Sequence, residues 1–212
     1  EGFNVECYDT LTGFKYIAEV IRENEGKKQF IGGGEESYGY LVGDFVRDKD
    51  AVISSVMLVE AAAWAKDQGS TFYNKLIDVY LQYGYYKEHL VSLTKKGVTG
   101  VEEITLMMKN LRENPPKSFV NFSVVYIKDY QSSISLDCKK NQETKIELPK
   151  SNVLQFIIED GSVITARPSG TEPKIKFYFS IKGELRSMED LKTAEHLMNI
   201  KINQIISEMN LT

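Results

Sequence analysis

One short segment of the sequence combines the residue types that bind an anion. It runs from Arg167 to Lys174 and reads Arg-Pro-Ser-Gly-Thr-Glu-Pro-Lys. The guanidinium of Arg167 can donate two parallel hydrogen bonds to a phosphate, and the Ser169 and Thr171 hydroxyls add further donors. Gly170 lets the backbone turn so that successive N–H groups converge. The segment predicts a phosphate-binding loop, and the alternative is an ordinary strand connection whose arginine faces water.

A second segment, from Gly33 to Gly39, places carboxylates and a hydroxyl among glycines. Carboxylates only accept hydrogen bonds, so this loop would repel a phosphate. Glu35 with Ser37 could instead take hydrogen bonds from two neighbouring hydroxyls of a sugar. Two alternatives stay open, namely a solvated acidic turn and a paired-carboxylate site for a metal or for acid–base chemistry. No histidine of the sequence supports the last of these.

Two lysines stand where a cation could meet a charged ligand. Lys49 belongs to the alternating charge run Arg47–Asp50, and its ammonium could bind phosphate as a point charge or exchange a proton with a hydroxyl. Thr12, Gly13 and Lys15 supply similar donors before a helix N-terminus, a position that favours anions. Most charge runs of this kind are only solvated helix starts, which is the alternative for Lys49.

The composition excludes several classes of function. The net charge of -4 gives no diffuse attraction for nucleic acid or for anionic lipid. Two widely separated cysteines, Cys7 and Cys138, indicate neither a disulfide framework nor a thiolate metal site, so we expect a reduced, cytoplasmic setting. The most apolar stretch, Ala51–Ala65, is interrupted by polar residues, which argues against a membrane span. No Ser-His-Asp set and no zinc pattern can be built around the two histidines.

The first part of the chain alternates strand and helix patterns, which is typical of an α/β domain. Apolar residues at spacings of three and four mark the helices, and Asp50 is a candidate helix cap. Glycine weakens a strand, so we expect a loop to begin at Gly32. In chain order the predicted elements are a strand at Asn4–Tyr8, a helix around Ile17–Ile21, the loop from Gly32, and helices at Ala51–Lys66 and from Phe72 to about Gly84.

The sequence predicts a domain boundary at Asn114–Lys117. A strand at Tyr85–Leu93 and a helix from Thr99 precede it, and the paired prolines at positions 115 and 116 cannot continue that helix. Beyond the boundary the pattern changes to strands followed by one long helix, so we predict an α+β domain. Its predicted elements are strands at Phe119–Tyr126, Val153–Ile158, Val163–Ala166 and Ile175–Ile181, and a helix opened by Ser187 and Asp190.

Four of these segments together resemble the α-D-phosphohexomutase superfamily of phosphoglucomutases and phosphomannomutases. They are Thr12–Lys15, Gly34–Gly39, Arg47–Asp50 and Arg167–Lys174, and their order and separation match as well. The resemblance covers essentially the whole chain. It implies that residues 1–114 are the later part of the sugar-binding third domain, a partial three-layer α/β domain. Residues 117–212 would be the phosphate-binding fourth domain, an antiparallel sheet packed with helices.

The resemblance also implies an activity. It is that of an isomerase that interconverts sugar 1-phosphates with 6-phosphates or 5-phosphates through a phosphoserine and a sugar bisphosphate. Sugar binding would involve Glu35, Ser37, Thr12, Gly13 and Lys15, with Lys49 a candidate for proton transfer. Phosphate binding would involve Arg167, Ser169, Gly170 and Thr171. Glu36 and Tyr38 look more like the branch of phosphopentomutases and sugar-bisphosphate synthases than like bacterial phosphomannomutases.

Two motifs of the family have no counterpart in this sequence, the phosphoserine loop and the Asp-x-Asp-x-Asp loop that binds Mg²⁺. Both belong to the first two domains of the family, so we expect them in N-terminal domains of the same polypeptide. Phosphoryl transfer depends on the metal charge and on an activated donor, and the chain alone is therefore expected to be inactive. The alternatives are a stand-alone module that binds sugar phosphates and a purely structural interaction domain.

Overall fold

The computed structural model describes residues 3–35, 38–95, 99–170 and 172–211. By their contacts the residues form two compact units, Glu1–Leu76 and Ile77–Thr212. The first unit is α/β and the second is an antiparallel sheet with packed helices, as the sequence predicts. No helix among the described residues is both long enough and apolar enough to cross a membrane.

In the first unit, two strands form a hairpin between two helices. Helix α1 spans Phe14–Asn24, strands β1 and β2 span Gly32–Glu35 and Gly39–Val42, and helix α2 spans Ala51–Asp67. The strands are antiparallel and run from Gly32 opposite Val42 to Glu35 opposite Gly39. The expected loop at Gly32 is therefore a strand. Hydrogen bonding to β2 and the ring of Tyr40, which covers the space beside Gly34, make up for the missing side chains.

The predicted strand at Asn4–Tyr8 is wrong. The chain there is irregular, and none of the described strands pairs with it. A strand is stable only when a neighbouring strand takes up its backbone groups. The segment is instead held by polar side-chain contacts. The Lys28 ammonium lies 2.6 Å from a Glu6 carboxylate oxygen and donates to the Tyr8 hydroxyl at 2.6 Å.

Helix α2 begins where the sequence predicts, because Asp50 caps it. The Asp50 carboxylate accepts hydrogen bonds from the backbone N–H groups of Val52 at 2.8 Å and Ile53 at 3.0 Å. The Asp50 N–H in turn donates to the carbonyl of Tyr40 at 2.8 Å, so the cap also ties the helix to β2. Helix α3 then spans Phe72–Tyr83, in agreement with the predicted end near Gly84.

The second unit is built on an antiparallel sheet of eight strands. Seven of them lie in the order β3-β10-β9-β8-β5-β6-β7, and the two-residue β4 pairs with β5. The strands are β3 Tyr85–Thr94, β4 Ser118–Phe119, β5 Phe122–Asp129, β6 Ile134–Asp137, β7 Gln142–Lys145, β8 Leu154–Ile158, β9 Val163–Pro168 and β10 Lys174–Gly183. The predicted strand Phe119–Tyr126 is thus two strands. A turn at Val120 and Asn121, both at positive φ, separates them.

Two helices cover one face of this sheet and close the larger core. Helices α4, Thr99–Glu113, and α5, Leu191–Glu208, both pack against β10. The alternation predicted for β10 is confirmed, since Ile175, Phe177, Phe179 and Ile181 are all 0% exposed. Helix α5 contributes Ala194, Met198, Ile202 and Ile205 to the same core.

The boundary expected at Asn114–Lys117 does not coincide with the division between the units, which falls between Leu76 and Ile77. Strand β3 pairs with β10 along its whole length, and α4 packs on β10, so both belong to the second unit. The prolines follow the end of α4 at Glu113, and the domain limits 1–114 and 117–212 stay a prediction. The β6–β7 hairpin was also not predicted, because β7 reads Gln-Glu-Thr-Lys and is exposed at all four residues, with no apolar alternation.

Candidate functional site

In the first unit, the carboxylate of Glu35 is fixed against the start of α1. The Gly13 N–H donates a hydrogen bond to Glu35 Oε1 at 3.0 Å. Gly13 immediately precedes α1 and has φ 126°, in the region that favours glycine. A carboxylate is stabilised near a helix N-terminus, where the backbone N–H groups have no partner within the helix. One oxygen of Glu35 is therefore anchored, and among the described residues no hydrogen bond is formed to the other.

Lys49 approaches this carboxylate by passing over Gly39. A Cβ atom added to Gly39 would overlap the Lys49 side chain and would lie 3.2 Å from Glu35 Oε2. The Lys49 ammonium donates to Asp48 Oδ1 at 2.8 Å and lies 5.5 Å from the centre of the Phe14 ring. The glycine thus makes room for the lysine beside Glu35.

The charge state of Lys49 follows from these neighbours. The hydrogen bond to Asp48 raises the pKa of Lys49, partial burial opposes it, and the charges of Asp48 and Glu35 add to the increase. The same hydrogen bond lowers the pKa of Asp48. Lys49 is therefore an ammonium at neutral pH. It can donate hydrogen bonds or a proton, but it cannot act as a base until it loses that proton.

A groove of about 1030 Å³ extends from this cluster along α1. Its lining includes Lys15, Arg22, Arg47 and Lys49. Arg47 lies 3.1 Å from Glu25 and also donates to the backbone carbonyl of Asp44. Lys15 is exposed, with its ammonium 4.8 Å from the centre of the Tyr16 ring.

The structure brings two of the predicted sugar-binding residues, Gly13 and Glu35, together with Lys49, the candidate for proton transfer. Gly13, Glu35 and Lys49 are adjacent, and Lys15 lines the same groove as Lys49. Thr12 is exposed next to Gly13 in the chain. Ser37 and Glu36 lie outside the described residues. Tyr38 follows them at the hairpin tip with φ 65°, and its side chain is 90% exposed.

In the second unit, the predicted phosphate loop joins β9 to β10. Arg167 is half-buried near the end of β9. The Ser169 N–H donates to the carbonyl of Lys174 at 2.7 Å, and the Ser169 hydroxyl accepts from the Glu172 N–H at 3.3 Å. Gly170 is exposed, and an added Cβ would meet no atom within 4 Å, so local space does not require glycine there. Thr171 lies outside the described residues.

Sequence reasoning missed Lys176 as a partner of Arg167. The two residues are directly opposite in the β9–β10 ladder, and among the described residues neither forms an ion pair or a side-chain hydrogen bond. Like charges directly opposite each other destabilise a sheet unless an anion neutralises them. The sequence shows only that basic residues flank the loop, and which of them pair depends on the register of the two strands.

The described residues hold no group of three or more His, Cys, Asp or Glu side chains that could bind a metal ion. His89 lies on β3 with its ring centre 6.1 Å from that of Phe179, and His196 lies within α5. Neither histidine belongs to the two clusters described above.

Comparisons with known proteins agree with these motifs. The family model for phosphoglucomutase/phosphomannomutase, alpha/beta/alpha domain III, matches residues 1–80. The phosphoglucomutase of Staphylococcus aureus (strain MRSA252) is 40% identical over 179 residues, which are 84% of this chain and 32% of that protein. The phosphoglucomutase of Staphylococcus haemolyticus (strain JCSC1435) is 37% identical over 177 residues, which are again 84% of this chain and 32% of that protein. The chain thus spans about a third of the length of these relatives.

A solved structure supports the fold. The open form of the exocytosis-sensitive phosphoprotein pp63/parafusin, a phosphoglucomutase from Paramecium, matches 99% of this chain and 34% of its own chain with a TM-score of 0.63. At 18% identity this likeness concerns the fold alone. The family model over residues 1–80 and the curated relatives, which are 37–40% identical over 84% of this chain, support its assignment to the α-D-phosphohexomutase superfamily of phosphoglucomutases and phosphomannomutases, as a C-terminal portion.

Proposed function

We propose that this chain is part of a cytoplasmic phosphosugar mutase, which interconverts sugar 1-phosphates with 6-phosphates or 5-phosphates through a phosphoserine and a sugar bisphosphate. Within that enzyme the chain recognises sugar hydroxyls and phosphate. The observation that carries this proposal is the cluster of Gly13, Glu35 and Lys49, in which an anchored acceptor lies beside a cation.

The anchored carboxylate suits a sugar that must bind in two orientations. One Glu35 oxygen accepts from Gly13, which leaves its other oxygen for hydroxyl groups of the ligand. Ser37, Thr12 and Lys15 would complete this hydroxyl site. Because a carboxylate accepts from any pair of neighbouring hydroxyls, the same site can hold the bisphosphate before and after it turns end for end.

Arg167 and Lys176 would hold the phosphate that is not reacting. Their positive charges stand side by side without a counter-charge among the described residues, and a phosphate dianion would neutralise both. Ser169, Gly170 and Thr171 would add donors from the loop. The lack of a side chain at Gly170 leaves its backbone open to the ligand.

Lys49 would serve as a cation and proton donor. Its pKa is raised by Asp48, so it stays a cation, and proton transfer to a sugar oxygen would require that a bound ligand lowers this pKa. We assign Mg²⁺ and the phosphoserine to other parts of the polypeptide, because the two family motifs that would carry them have no counterpart in this sequence. The chain alone should therefore lack mutase activity. Assignment to the branch of phosphopentomutases and bisphosphate synthases stays a hypothesis based on Glu36 and Tyr38.

Calorimetry with glucose 1,6-bisphosphate tests the recognition role. We expect the chain to bind it with a Kd of about 1 mM, to ignore plain glucose, and to lose binding in Arg167→Ala. Lys140→Ala removes an exposed cation from the β6–β7 turn and should bind normally. Equal binding by the Arg167→Ala variant would contradict a phosphate site at this loop.

Activity assays separate the mutase from a stand-alone binding module. A full-length protein should isomerise glucose 1-phosphate and the 212-residue chain should not. Turnover by the chain alone would contradict our assignment of the phosphoserine to another part of the polypeptide. A gene that encodes only a binding module would favour the alternative.

A further inference from the structure

Strand β3 lies at one end of the large sheet and pairs on one side only. All its residues, Tyr85–Thr94, pair with β10 in an unbroken register. No described strand pairs with its other side, which we name the open edge. The strand at the opposite end of the sheet, β7, has four residues and carries Glu143 and Lys145. A long unpaired edge invites a further strand, whereas a short charged edge resists one. The open edge of β3 is therefore suited to strand addition.

The pairing with β10 determines which backbone groups face the open edge. The Lys95 N–H donates to the Pro173 carbonyl at 2.9 Å, which continues the register of Leu93 opposite Ile175. In an antiparallel pair, alternate residues direct both N–H and C=O to the partner, and the residues between them direct both away. The odd-numbered residues of β3 therefore bond to β10. The residues whose groups face the open edge are Tyr86, Glu88, Leu90, Ser92 and Thr94, and all of them are exposed.

The charges that could protect this edge are already engaged within the chain. The Lys87 ammonium lies 2.7 Å from a Glu195 carboxylate oxygen of α5. The Glu88 carboxylate accepts a hydrogen bond from the Ser180 hydroxyl at 2.6 Å. Proline and β-bulges also block edge pairing, but β3 contains no proline and its pairing with β10 has no register shift. The folded strand is thus less protected than its composition suggests.

The outward-facing residues are arranged symmetrically about Leu90. A two-fold axis at Leu90 would pair two antiparallel copies of β3 so that all these residues form hydrogen-bonded pairs. Like charges directly opposite each other destabilise a sheet, and this register opposes none. An axis at His89 would instead leave Thr94 without a partner and place two His89 side chains together. With the axis at Leu90, the residues opposite each other are Tyr86 and Thr94, Lys87 and Leu93, Glu88 and Ser92, His89 and Val91, and the two copies of Leu90.

We infer that the open edge of β3 binds β3 of a second copy of this chain, antiparallel and centred on Leu90, so that two sheets join into one. A two-fold interface requires a surface that complements itself, and the register about Leu90 meets this requirement. The side chains of Leu90 and Tyr86, which are 48% and 41% exposed, would gain apolar contacts across the interface. An unrelated extended peptide could bond to the same backbone groups but would gain nothing from this symmetry. The inference does not depend on the proposed function.

Sedimentation velocity over a range of concentrations tests the inference. We expect the 212-residue chain to form dimers with a dissociation constant of roughly 100 μM. Leu90→Pro should raise this constant about ten-fold or more, because it removes the N–H at the axis. The Leu90 N–H faces away from β10, so the proline leaves the ladder within the chain intact. Leu90→Val keeps the N–H and is the matched control, which should dimerise like the wild type.

Disulfide formation measures the register of the pairing. In a background in which Cys7, Cys138 and any other cysteines are serine, Leu90→Cys places two thiols opposite each other, within reach of a disulfide. Ser92→Cys places its two thiols four residues apart along the paired strands, which is too far. On mild oxidation, Leu90→Cys should therefore form the covalent dimer at least about ten-fold faster than Ser92→Cys. The full-length protein should show the same difference.

Three results would overturn the inference. The first is a chain that stays monomeric up to about 1 mM. The second is a dimer whose dissociation constant is unchanged by Leu90→Pro, or whose Leu90→Cys and Ser92→Cys variants cross-link equally fast, since another surface or register would then be used. The third is cross-linking of Leu90→Cys in the chain but not in the full-length protein, because another segment of the polypeptide would then cover the open edge. A full-length dimer of this kind without mutase activity would support the inference and contradict the proposed function.

Discussion

The side chain that is absent at Gly39 matters as much as those present at Glu35 and Lys49. A Cβ there would overlap Lys49 and approach Glu35, so we predict that Gly39→Ala weakens binding of glucose 1,6-bisphosphate about ten-fold, or about 1.4 kcal/mol. Calorimetry on the full-length protein measures this. Gly69→Ala is the control, because it strains the backbone at φ 67° away from the cluster. An equal loss of binding affinity in both variants would show that Gly39→Ala acts by destabilising the fold and not by disturbing the cluster.

The hydrogen bond from Lys49 to Asp48 raises the pKa of Lys49. We predict that Asp48→Asn lowers the pKa of Lys49, because the substitution removes the carboxylate whose hydrogen bond raises it. The NMR titration of the Lys49 Cε resonance gives this pKa directly. Asp44→Asn, at an exposed side chain that is not among the causes of the shift, should leave the titration unchanged. If the pKa of Lys49 is the same in Asp48→Asn as in the wild type, Asp48 is not the cause of the increase.

At the level of single residues, the sequence predicted features that depend on residues close together in the chain. It missed contacts that depend on how strands pair. The types and order of Glu35, Lys49 and Arg167 pointed to hydroxyl and phosphate recognition before any geometry was known. Lys176 was missed because its role requires the register of two strands. The anchoring of Glu35 by Gly13 was also missed, since it joins residues that are 22 positions apart.

Among the elements, α2 depends on its cap. We predict that Asp50→Ala destabilises the first unit by about 1 kcal/mol, because two helix N–H groups lose their acceptor. Trp64 is the single tryptophan of the chain and lies in α2, so its fluorescence during urea unfolding reports on this unit. Asp50→Ser keeps an acceptor and should be close to wild type. A loss of stability in Asp50→Ser as large as that in Asp50→Ala would contradict the role of Asp50 as a helix cap.

An ion pair fixes α5 to the β8–β9 turn and makes that contact sensitive to acid. Lys201 contacts Asp160 and donates to the buried Ser162 hydroxyl at 3.0 Å. Burial would raise the pKa of Asp160, but the hydrogen bonds from Lys201 and from the Ser162 N–H outweigh it and lower this pKa below the ordinary 3.8. A lowered folded-state pKa gives stability that is present above 3.8 and is lost as the pH falls through the folded-state pKa.

We therefore predict that acid weakens the β8–β9 turn more in the wild type than in Asp160→Asn. Hydrogen exchange at the β8 and β9 amides between pH 6 and pH 3, corrected for the intrinsic pH dependence, measures this. Protection should be higher in the wild type at pH 6, and the difference should shrink below about pH 4. A difference that stays constant with pH would refute the ion-pair explanation.

The elements themselves were predicted unevenly, for a physical reason. The helices and β10 carry local signals, namely caps, prolines and apolar periodicity, and the structure confirms them. The β1–β2 and β6–β7 hairpins consist of glycines or of exposed polar residues, and only pairing with a neighbouring strand makes them strands. The same dependence on a partner explains the wrong strand at Asn4–Tyr8.

For the whole molecule, the two units have very different cores. We predict that urea unfolds the first unit of the isolated chain before the second, since its buried cluster is so much smaller. Trp64 fluorescence should then change at a lower urea concentration than the far-ultraviolet circular dichroism, which includes the large sheet. Coincident transitions by both probes would contradict this order.

The pairing of β3 with β10 also has a consequence during synthesis on the ribosome. The paired residues are separated by roughly 80 to 100 positions in the chain, and such distant contacts form slowly. At about 5–20 residues per second, β3 emerges roughly 4 to 20 seconds before its partner exists. Strand β3 is then an unpaired strand with free hydrogen-bonding edges, and the charged side chains of Lys87 and Glu88 reduce the chance that a neighbouring nascent chain pairs with it.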